Sequence, residues 1–223
     1  MSRPYPRPAR PEDEEALREC VGRVFRPSLY DEYPQLFHAG NLPHCRVIEL
    51  DGKIVSHVGL TIQDASILGC AVRVGCIGAV ATLPEYRGKG YASACLIDAM
   101  LHARAQGCDW LIISGDRSLY RRVGARRVGR DFHVRMSAEQ AEGLRDPKVH
   151  LRRASREDIP LLMELHQREP VHWKRSVRVW GRAFDCAFVM NRPASFWIVE
   201  RAGIPQGYLI LQEVREPGRG PHR

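Results

Sequence analysis

A short loop over residues 87–92 combines glycine with basic side chains, and this combination suits the binding of an anion. Its residues are Arg87, Gly88, Lys89, Gly90, Tyr91 and Ala92. Glycine lets the backbone approach a ligand closely and adopt positive φ. The first turn of a following helix offers unpaired N–H groups and the positive end of its dipole. The loop therefore predicts a site for a pyrophosphate, although a basic glycine turn taken alone is also common on protein surfaces.

The spacing within this loop excludes two familiar nucleotide-binding motifs. A Walker A loop continues Gly-Lys with Ser or Thr, whereas Gly90 follows Lys89 here. The glycine pattern of a dinucleotide-binding Rossmann loop is absent as well. These differences argue against nucleotide hydrolysis and hydride transfer.

The segments on either side place the loop between a strand and a helix. Residues 71–81 are rich in small and β-branched side chains and predict a strand that runs into the loop. The residues after the loop have apolar or small side chains at helical spacing, and Gln106-Gly107 ends that predicted helix. A short buried strand is predicted over residues 108–114.

Upstream of these elements the sequence predicts helices and then an antiparallel hairpin. Pro11 and the acidic residues behind it begin a helix that runs to about Phe25, and a second short helix is predicted over residues 31–37. Asp51-Gly52 is a strong turn signal between the β-rich runs on either side. The order of helix, hairpin, strand, helix and strand predicts an α/β (α+β) layered fold.

Residues 80–92 resemble motif A of the GNAT superfamily, the Gcn5-related N-acetyltransferases. The core of that motif is Arg/Gln-x-x-Gly-x-Gly/Ala, and Arg87, Gly90 and Ala92 occupy its three positions. The resemblance implies a mixed, mainly antiparallel central sheet flanked by helices.

A second resemblance lies downstream, where residues 118–125 are similar to the Tyr-x-x-x-Gly-Phe signature of GNAT motif B. Tyr120 and Gly124 match, and Ala125 stands where the family usually has Phe, which affects local packing more than chemistry. Together the two resemblances cover about residues 5–136. They are closest to the branch that includes the Eis aminoglycoside acetyltransferases, in which a second GNAT-like fold follows the first.

The resemblance implies roles for individual residues. Backbone amides of residues 88–92 should hold the pyrophosphate of acetyl-CoA, and the strand ending at Thr82 should pair with its pantetheine arm. Tyr120 should protonate the departing CoA thiolate; an aromatic anchor at a helix start is the structural alternative. The predicted cofactor-binding residues are Val80, Ala81, Thr82, Arg87, Gly88, Lys89, Gly90, Tyr91 and Ala92.

The implied activity is transfer of the acetyl group of acetyl-CoA to a primary amine of a small molecule or peptide, by direct attack in a ternary complex. The general base stays open, because none of the candidates has a distinctive spacing; a chain of water molecules would also serve. These candidates are Glu32, His38, Asp64 and Asp116. A non-catalytic acyl-CoA-binding or regulatory module is the alternative function. His57 and His133 lie in strand-like runs and are interpreted as structural.

Charge is concentrated in one segment of the chain. Residues 117–156 hold twelve Arg and Lys against four Asp and Glu, which matches the net charge of +8 for the whole chain. Such a segment suits an anionic partner, or it is a solvated arginine-rich surface. A nucleic-acid-binding protein is therefore a further alternative, although no signature of such a protein is present.

The second half of the chain repeats features of the first. Residues 7–17 match residues 152–162, and residues 47–52 resemble residues 198–203, at offsets of 145 and 151. The repeat predicts a GNAT domain over residues 1–140 and a partial second GNAT-like unit, a helix plus a β-hairpin, over residues 141–223. Residues 171–180 mix tryptophan with basic side chains and are interpreted as an amphipathic helix that packs its tryptophans inward; an acceptor or nucleic-acid contact is the alternative.

The composition of the chain also indicates its cellular location and whether it holds a metal. No apolar run approaches the ~20 residues that span a bilayer, and the basic, proline-rich start is unlike a signal peptide. A cytoplasmic protein with no membrane partner is therefore expected, and a homo-oligomer is left open. The seven cysteines contain no CxxC pair, so no metal site is predicted.

Overall fold

The computed structural model describes residues 4–129, 133–189 and 192–213. Ten strands lie among these residues: β1 (Arg7–Pro8), β2 (Arg46–Leu50), β3 (Lys53–Ile67), β4 (Cys70–Thr82), β5 (Trp110–Ile113), β6 (Val149–Arg153), β7 (Val171–Trp173), β8 (Phe188–Val189), β9 (Arg192–Arg201) and β10 (Ile204–Gln212). The same residues form seven α-helices: α1 (Glu14–Val24), α2 (Leu29–Glu32), α3 (Tyr91–Ala105), α4 (Ser118–Arg122), α5 (Ala138–Gly143), α6 (Ile159–Gln167) and α7 (Val177–Asp185).

The first sheet has the strand order β1-β2-β3-β4-β5, and β7 pairs with the far end of β3. Every pairing in it is antiparallel except the one between β4 and β5, which is parallel. This arrangement confirms the predicted fold class, a mixed and mainly antiparallel sheet flanked by helices.

Both faces of the first sheet are covered, which explains why β3 is buried along most of its length. Leu17 and Val21 of α1 pack on one face in a cluster with Val47. Leu96 and Ala99 of α3 pack on the other face. The apolar stripe of α3 that its sequence predicts is thus the stripe that covers the sheet.

The hairpin between β2 and β3 turns at the predicted Asp51-Gly52. Both residues have positive φ, 49° and 76°, which matches the right-handed twist of the flanking strands. The prediction of a hairpin at this position is confirmed.

The predicted helix after Pro11 is confirmed as a 3-10 turn over Pro11–Asp13 followed by α1. The short helix predicted over residues 31–37 is wrong in its bounds, because α2 ends at Glu32. Pro34 is the physical reason: a residue that precedes proline is disfavoured in the helical region, and Tyr33 has φ −120° and ψ 61°.

The second sheet has the order β10-β9-β6, with β8 paired to β9. Its core contains Leu162 of α6, Trp180 of α7 and Ile198 of β9. Residues 171–180 are not the single helix that their composition suggested. β7 extends the first sheet, and α7 begins only after Ser176. The inward packing of Trp180 is confirmed, since its side chain is buried.

The repeat seen in the sequence has a structural counterpart in two ion-pair clusters. The Arg7 guanidinium donates to Asp13 at 2.6 and 2.7 Å and also to Glu49. In the second half, Arg152 donates to Asp158 at 2.8 Å through two nitrogens and also to Glu200. Each arginine therefore ties a strand, a helix start and a hairpin together in the same way.

The two sheets are joined by hydrogen bonds as well as by the strand β7. The Lys174 N–H donates to the Asp64 carbonyl at 2.8 Å, next to the pairing of β7 with β3. The side-chain amide of Gln35 donates to the Val179 carbonyl at 2.9 Å. No helix in the described part of the chain has the length and apolar character needed to cross a bilayer.

Gly59 and Gly78 face each other between β3 and β4 but differ in the space around them. A Cβ on Gly59 would lie 2.7 Å from Leu36 Cδ2 and 2.9 Å from the Gly78 carbonyl oxygen. A Cβ on Gly78 would have no heavy atom of the described residues within 4 Å, with its chain neighbours set aside.

We expect Gly59→Ala to lower the free energy of unfolding by about 1–3 kcal/mol, because the added methyl group meets backbone that must shift. The matched variant Gly78→Ala should leave stability unchanged or slightly raise it. Urea unfolding of both variants measures the difference, and equal stabilities would contradict this description of the β3–β4 pairing.

Candidate functional site

The site begins where β4 and β5 separate. Their parallel pairing runs from Val74 opposite Trp110 to Ile77 opposite Ile113 and stops there. β5 ends at Ile113, whereas β4 continues to Thr82. Residues 78–82 therefore present an open strand edge on the side away from β3, and an extended ligand can pair with such an edge.

A β-bulge bends β4 at the start of this open edge. The register between β3 and β4 shifts between His57 and Gly59, and Ala79 has φ 47°, a left-handed conformation that is uncommon for a residue with a side chain. The His57 Nδ1–H donates to the Ala79 carbonyl at 2.8 Å. A bulge of this kind redirects a strand and is frequent next to functional sites.

The glycine loop follows β4 and ends at α3. A 3-10 turn over Pro84–Tyr86 leads into it, and the Arg87 Nε donates to the Thr82 carbonyl at 3.2 Å. Gly88 and Gly90 have φ of 77° and 80°. Gly90 is the residue that caps α3, so the free N–H groups of the first helical turn lie at the loop. The expected positive φ values are thus present.

A cleft of about 500 Å³ lies over the open edge and the loop. It brings together eight of the nine predicted cofactor-binding residues: Val80, Ala81, Thr82, Arg87, Gly88, Gly90, Tyr91 and Ala92. Lys89 is not part of the lining, and its ammonium group lies 5.0 Å from the centre of the Tyr86 ring.

The cleft also contains residues that the motifs did not identify. Arg117 and Arg122 line it together with Tyr86 and Ser93. Both arginines belong to the basic segment, whose charge was the only signal that pointed to them. The Arg117 Nη1 donates to the Val80 carbonyl at 3.2 Å, so this side chain lies directly against the open edge of β4.

Tyr120 lines a second cavity of about 340 Å³ that meets the first, since both are lined by Val80 and Arg117. Its ring is buried, and burial raises the pKa of its hydroxyl above the ordinary value. The hydroxyl is therefore a proton donor over a wide range of pH. The structure places Tyr120 in the second cavity, which Gly78, Ala79 and Val80 of the open edge also line.

The four candidate bases are distributed over different parts of the molecule. Asp116 shares the second cavity with Tyr120 and pairs with Arg127. Glu32 is buried in a pair with Arg26, whose guanidinium lowers the pKa of that carboxyl. His38 and Asp64 line a separate cavity. Only Asp116 among these four lies with Tyr120.

Neither of the two histidines interpreted as structural lines the two cavities. His57 is fully buried behind the bulge and stacks near Phe37. His133 is exposed outside the helices and strands, so its predicted strand-like setting is wrong. Among the described residues, no group of three or more His, Cys, Asp or Glu is placed to hold a metal ion.

A mixed sheet that opens beside β4, with a glycine loop at the start of α3, defines a protein of the GNAT fold. Comparison with protein-family models agrees, since a model of an acetyltransferase (GNAT) domain matches residues 5–128, more than half of the 223 residues. The chain therefore belongs to the GNAT acetyltransferase family. No sequence among the curated proteins matches it.

Solved structures share this fold over almost the whole chain. Two GCN5-related N-acetyltransferases, from Anabaena variabilis and Kribbella flavida, superpose with TM-scores of 0.70 and 0.64 at 19% and 15% identity, covering 96% and 94% of this chain. A protein from Enterococcus faecalis described as a probable N-acyltransferase gives 0.69 at 16% identity and 96% coverage. This chain spans 54–56% of their lengths, and at these identities the likeness shows the fold alone.

The buried imidazole of His57 makes stability depend on pH. Complete burial lowers its pKa to about 4, below the ordinary value of about 6.5. The unfolded chain therefore binds a proton at a higher pH than the folded chain does, and stability is lost as the pH falls through 6.5 toward 4.

We expect the free energy of unfolding to decrease between pH 7 and pH 5 by about 2 kcal/mol through His57 alone. His57→Gln should lose that part of the pH dependence, and the exposed control His133→Gln should retain it. Urea unfolding at the two pH values measures this difference. An unchanged pH dependence in His57→Gln would show that this imidazole is not buried in its neutral form.

Proposed function

We propose that this protein is an N-acetyltransferase that transfers the acetyl group of acetyl-CoA to a primary amine of a small molecule or peptide. The observation that carries the proposal is the open edge of β4, which leads on one side into the glycine loop and lies on the other beside Tyr120. Family membership supports the same activity.

Both backbone groups and side chains of the cleft bind acetyl-CoA in this proposal. The N–H groups at the start of α3 face a loop in which Gly88 and Gly90 leave room for a pyrophosphate. Arg87 and Arg122 add positive charge to that end of the cleft. The edge from Val80 to Thr82 supplies backbone groups for an extended pantetheine arm.

Transfer then requires three events at the junction of the two cavities. A neutral amine attacks the acetyl carbonyl carbon, a backbone N–H of β4 stabilises the negative charge that develops on the oxygen, and the C–S bond breaks. Tyr120 gives its proton to the departing thiolate. The amine would enter through the second cavity, which Tyr120 lines. Asp116 of the same cavity, or water in it, takes the proton that the amine loses.

We further propose that residues 1–140 and 141–223 are successive GNAT-like units, as in the branch that includes the Eis enzymes. The two matching ion-pair clusters around Arg7 and Arg152 support this. So do the two hairpin turns, in which Asp51 and Ala202 have φ of 49° and 51° and are each followed by a glycine.

A non-catalytic acyl-CoA-binding module is the second candidate, because it would use the same loop without Tyr120. A nucleic-acid-binding protein is less well supported. Two arginines of the basic segment, Arg117 and Arg122, line the cleft beside the open edge of β4. Binding and turnover measurements separate the first two functions.

Acetyl-CoA binding tests the loop. We expect micromolar binding by the unmodified protein and a loss of about 100-fold or more in Gly90→Glu, which places a carboxylate where the pyrophosphate lies. Gly90→Ala is the matched control, since it carries the same backbone strain at positive φ without the charge, and it should bind more tightly than Gly90→Glu. Calorimetry on variants shown to be folded by circular dichroism measures both. Equal binding by all three proteins would remove the loop from the cofactor site.

Turnover tests Tyr120. We expect Tyr120→Phe to reduce kcat by about 10²-fold or more with little change in acetyl-CoA affinity, because only protonation of the thiolate is lost. Tyr86→Phe removes a hydroxyl from another ring that lines the cleft and should retain near-normal kcat. The assay follows release of free CoA with a panel of primary amines. A folded protein that binds acetyl-CoA but acetylates no amine would favour the non-catalytic module.

A further inference from the structure

A third cavity, of about 300 Å³, lies between β3 and the segment that joins β7 to α7. Thr61 and Gln63 of β3 form one wall, and the other wall comes from the segment between Lys174 and Arg182. None of its lining residues lines the cofactor cleft or the cavity beside Tyr120. This cavity is therefore separate from the two that the proposed acetyl transfer uses.

This junction cavity is strongly cationic. Lys174, Arg175 and Arg182 line it, and none of them forms an ion pair within the described part of the chain. The lining also includes the carboxylate of Asp64, which pairs with Arg73 at 3.0 Å. Three cationic side chains thus line one cavity, and none of them pairs with a carboxylate of the described residues.

Burial makes this arrangement costly without a ligand. Desolvation lowers the pKa of the Arg175 and Arg182 guanidinium groups. Burial first, and then the charges of Arg182 and Arg178, lower the pKa of His38 in the same cavity. Partly buried charges are normally paired. Arg178 and Arg182 repel each other, and an anion beside Arg182 would relieve that repulsion.

Two buried polar atoms of the cavity residues also have no hydrogen-bond partner within the described part of the chain. Among the residues that the structure describes, the buried Arg182 Nε has no acceptor and the buried Gln63 Oε1 has no donor. Such groups in a native structure indicate an absent ligand or water. The N-terminal end of α7 adds to the positive potential, because its capping residue Ser176 belongs to the lining.

We propose that the junction cavity binds a phosphate group, carried by a small molecule whose remaining part has a hydrogen-bond donor. A phosphate matches the two guanidinium groups and one ammonium group in charge and supplies acceptors for their N–H groups. A hydroxyl or ammonium group beside the phosphate matches the Gln63 oxygen. The volume admits a small phosphate ester but not a folded polymer.

Calorimetric titration with O-phosphoethanolamine, inorganic phosphate and ethanolamine at an ionic strength of about 0.15 M tests the proposal. We expect saturable binding of both phosphate compounds and none of ethanolamine. Tighter binding of O-phosphoethanolamine would assign the cavity to a phosphate ester, and equal binding would assign it to free phosphate. Absence of saturable binding by the folded protein would overturn the proposal.

Charge-removal variants locate the site. Arg182→Gln and Arg175→Gln should each weaken phosphate binding about tenfold or more, since each loses a charge-assisted hydrogen bond. Arg178→Gln removes the same charge from α7 but not from the lining, and it should weaken binding less than about threefold. Thermal unfolding confirms that each variant is folded, and either lining variant alone suffices for the comparison.

Two results of this comparison would contradict the proposal. Unchanged binding in Arg182→Gln would move the phosphate to another place, such as the glycine loop, and an equal loss in Arg178→Gln would show only diffuse attraction. Neither measurement uses acetyl-CoA, so the outcome is independent of whether the protein transfers acetyl groups.

Discussion

The separation of β4 from β5 is the constraint on which the site depends. Parallel pairing ends at Ile77 and Ile113, and the bulge at Ala79 then turns β4 away, so its backbone groups face a cleft instead of a neighbouring strand. A non-glycine residue with positive φ is costly. The fully buried His57 offsets part of that cost through its hydrogen bond to the Ala79 carbonyl. The conformation of the open edge is therefore stabilised by a residue of the core, which lies behind the surface that a ligand meets.

Arg117 connects this open edge with the two cavities. It lines both of them and donates to the Val80 carbonyl, one of the groups that an extended ligand would meet. The cofactor side and the acceptor side of the proposed reaction thus share one cation. Tyr120 lies three residues further along, with its backbone N–H bonded to the Arg117 carbonyl at 3.0 Å. The local turn fixes how these two side chains lie relative to each other.

The second half of the chain repeats features of the first half, and the two halves together form the junction cavity. Arg152 holds Asp158 and Glu200 as Arg7 holds Asp13 and Glu49, which indicates the same way of joining a strand, a helix start and a hairpin. β7, which follows β6 and α6 in the chain, pairs with β3 and so belongs to the first sheet. The junction cavity exists because of this pairing, and its cations come from residues 174–182.

Local patterns in the sequence determined most of the first sheet, the helix α3 and the glycine loop, because turn residues and apolar spacing act within a few positions of the chain. The bounds of α2 were misjudged where Pro34 acts on Tyr33, and residues 171–177 were misjudged because pairing with β3 overrides their helical pattern. The motifs also identified residues that do line one cleft. Only the tertiary structure brought Arg117 to the edge of β4, placed Asp116 in the cavity that Tyr120 lines and assembled the junction cavity. Those outcomes depend on contacts between residues far apart in the chain, and such contacts follow from packing rather than from local spacing.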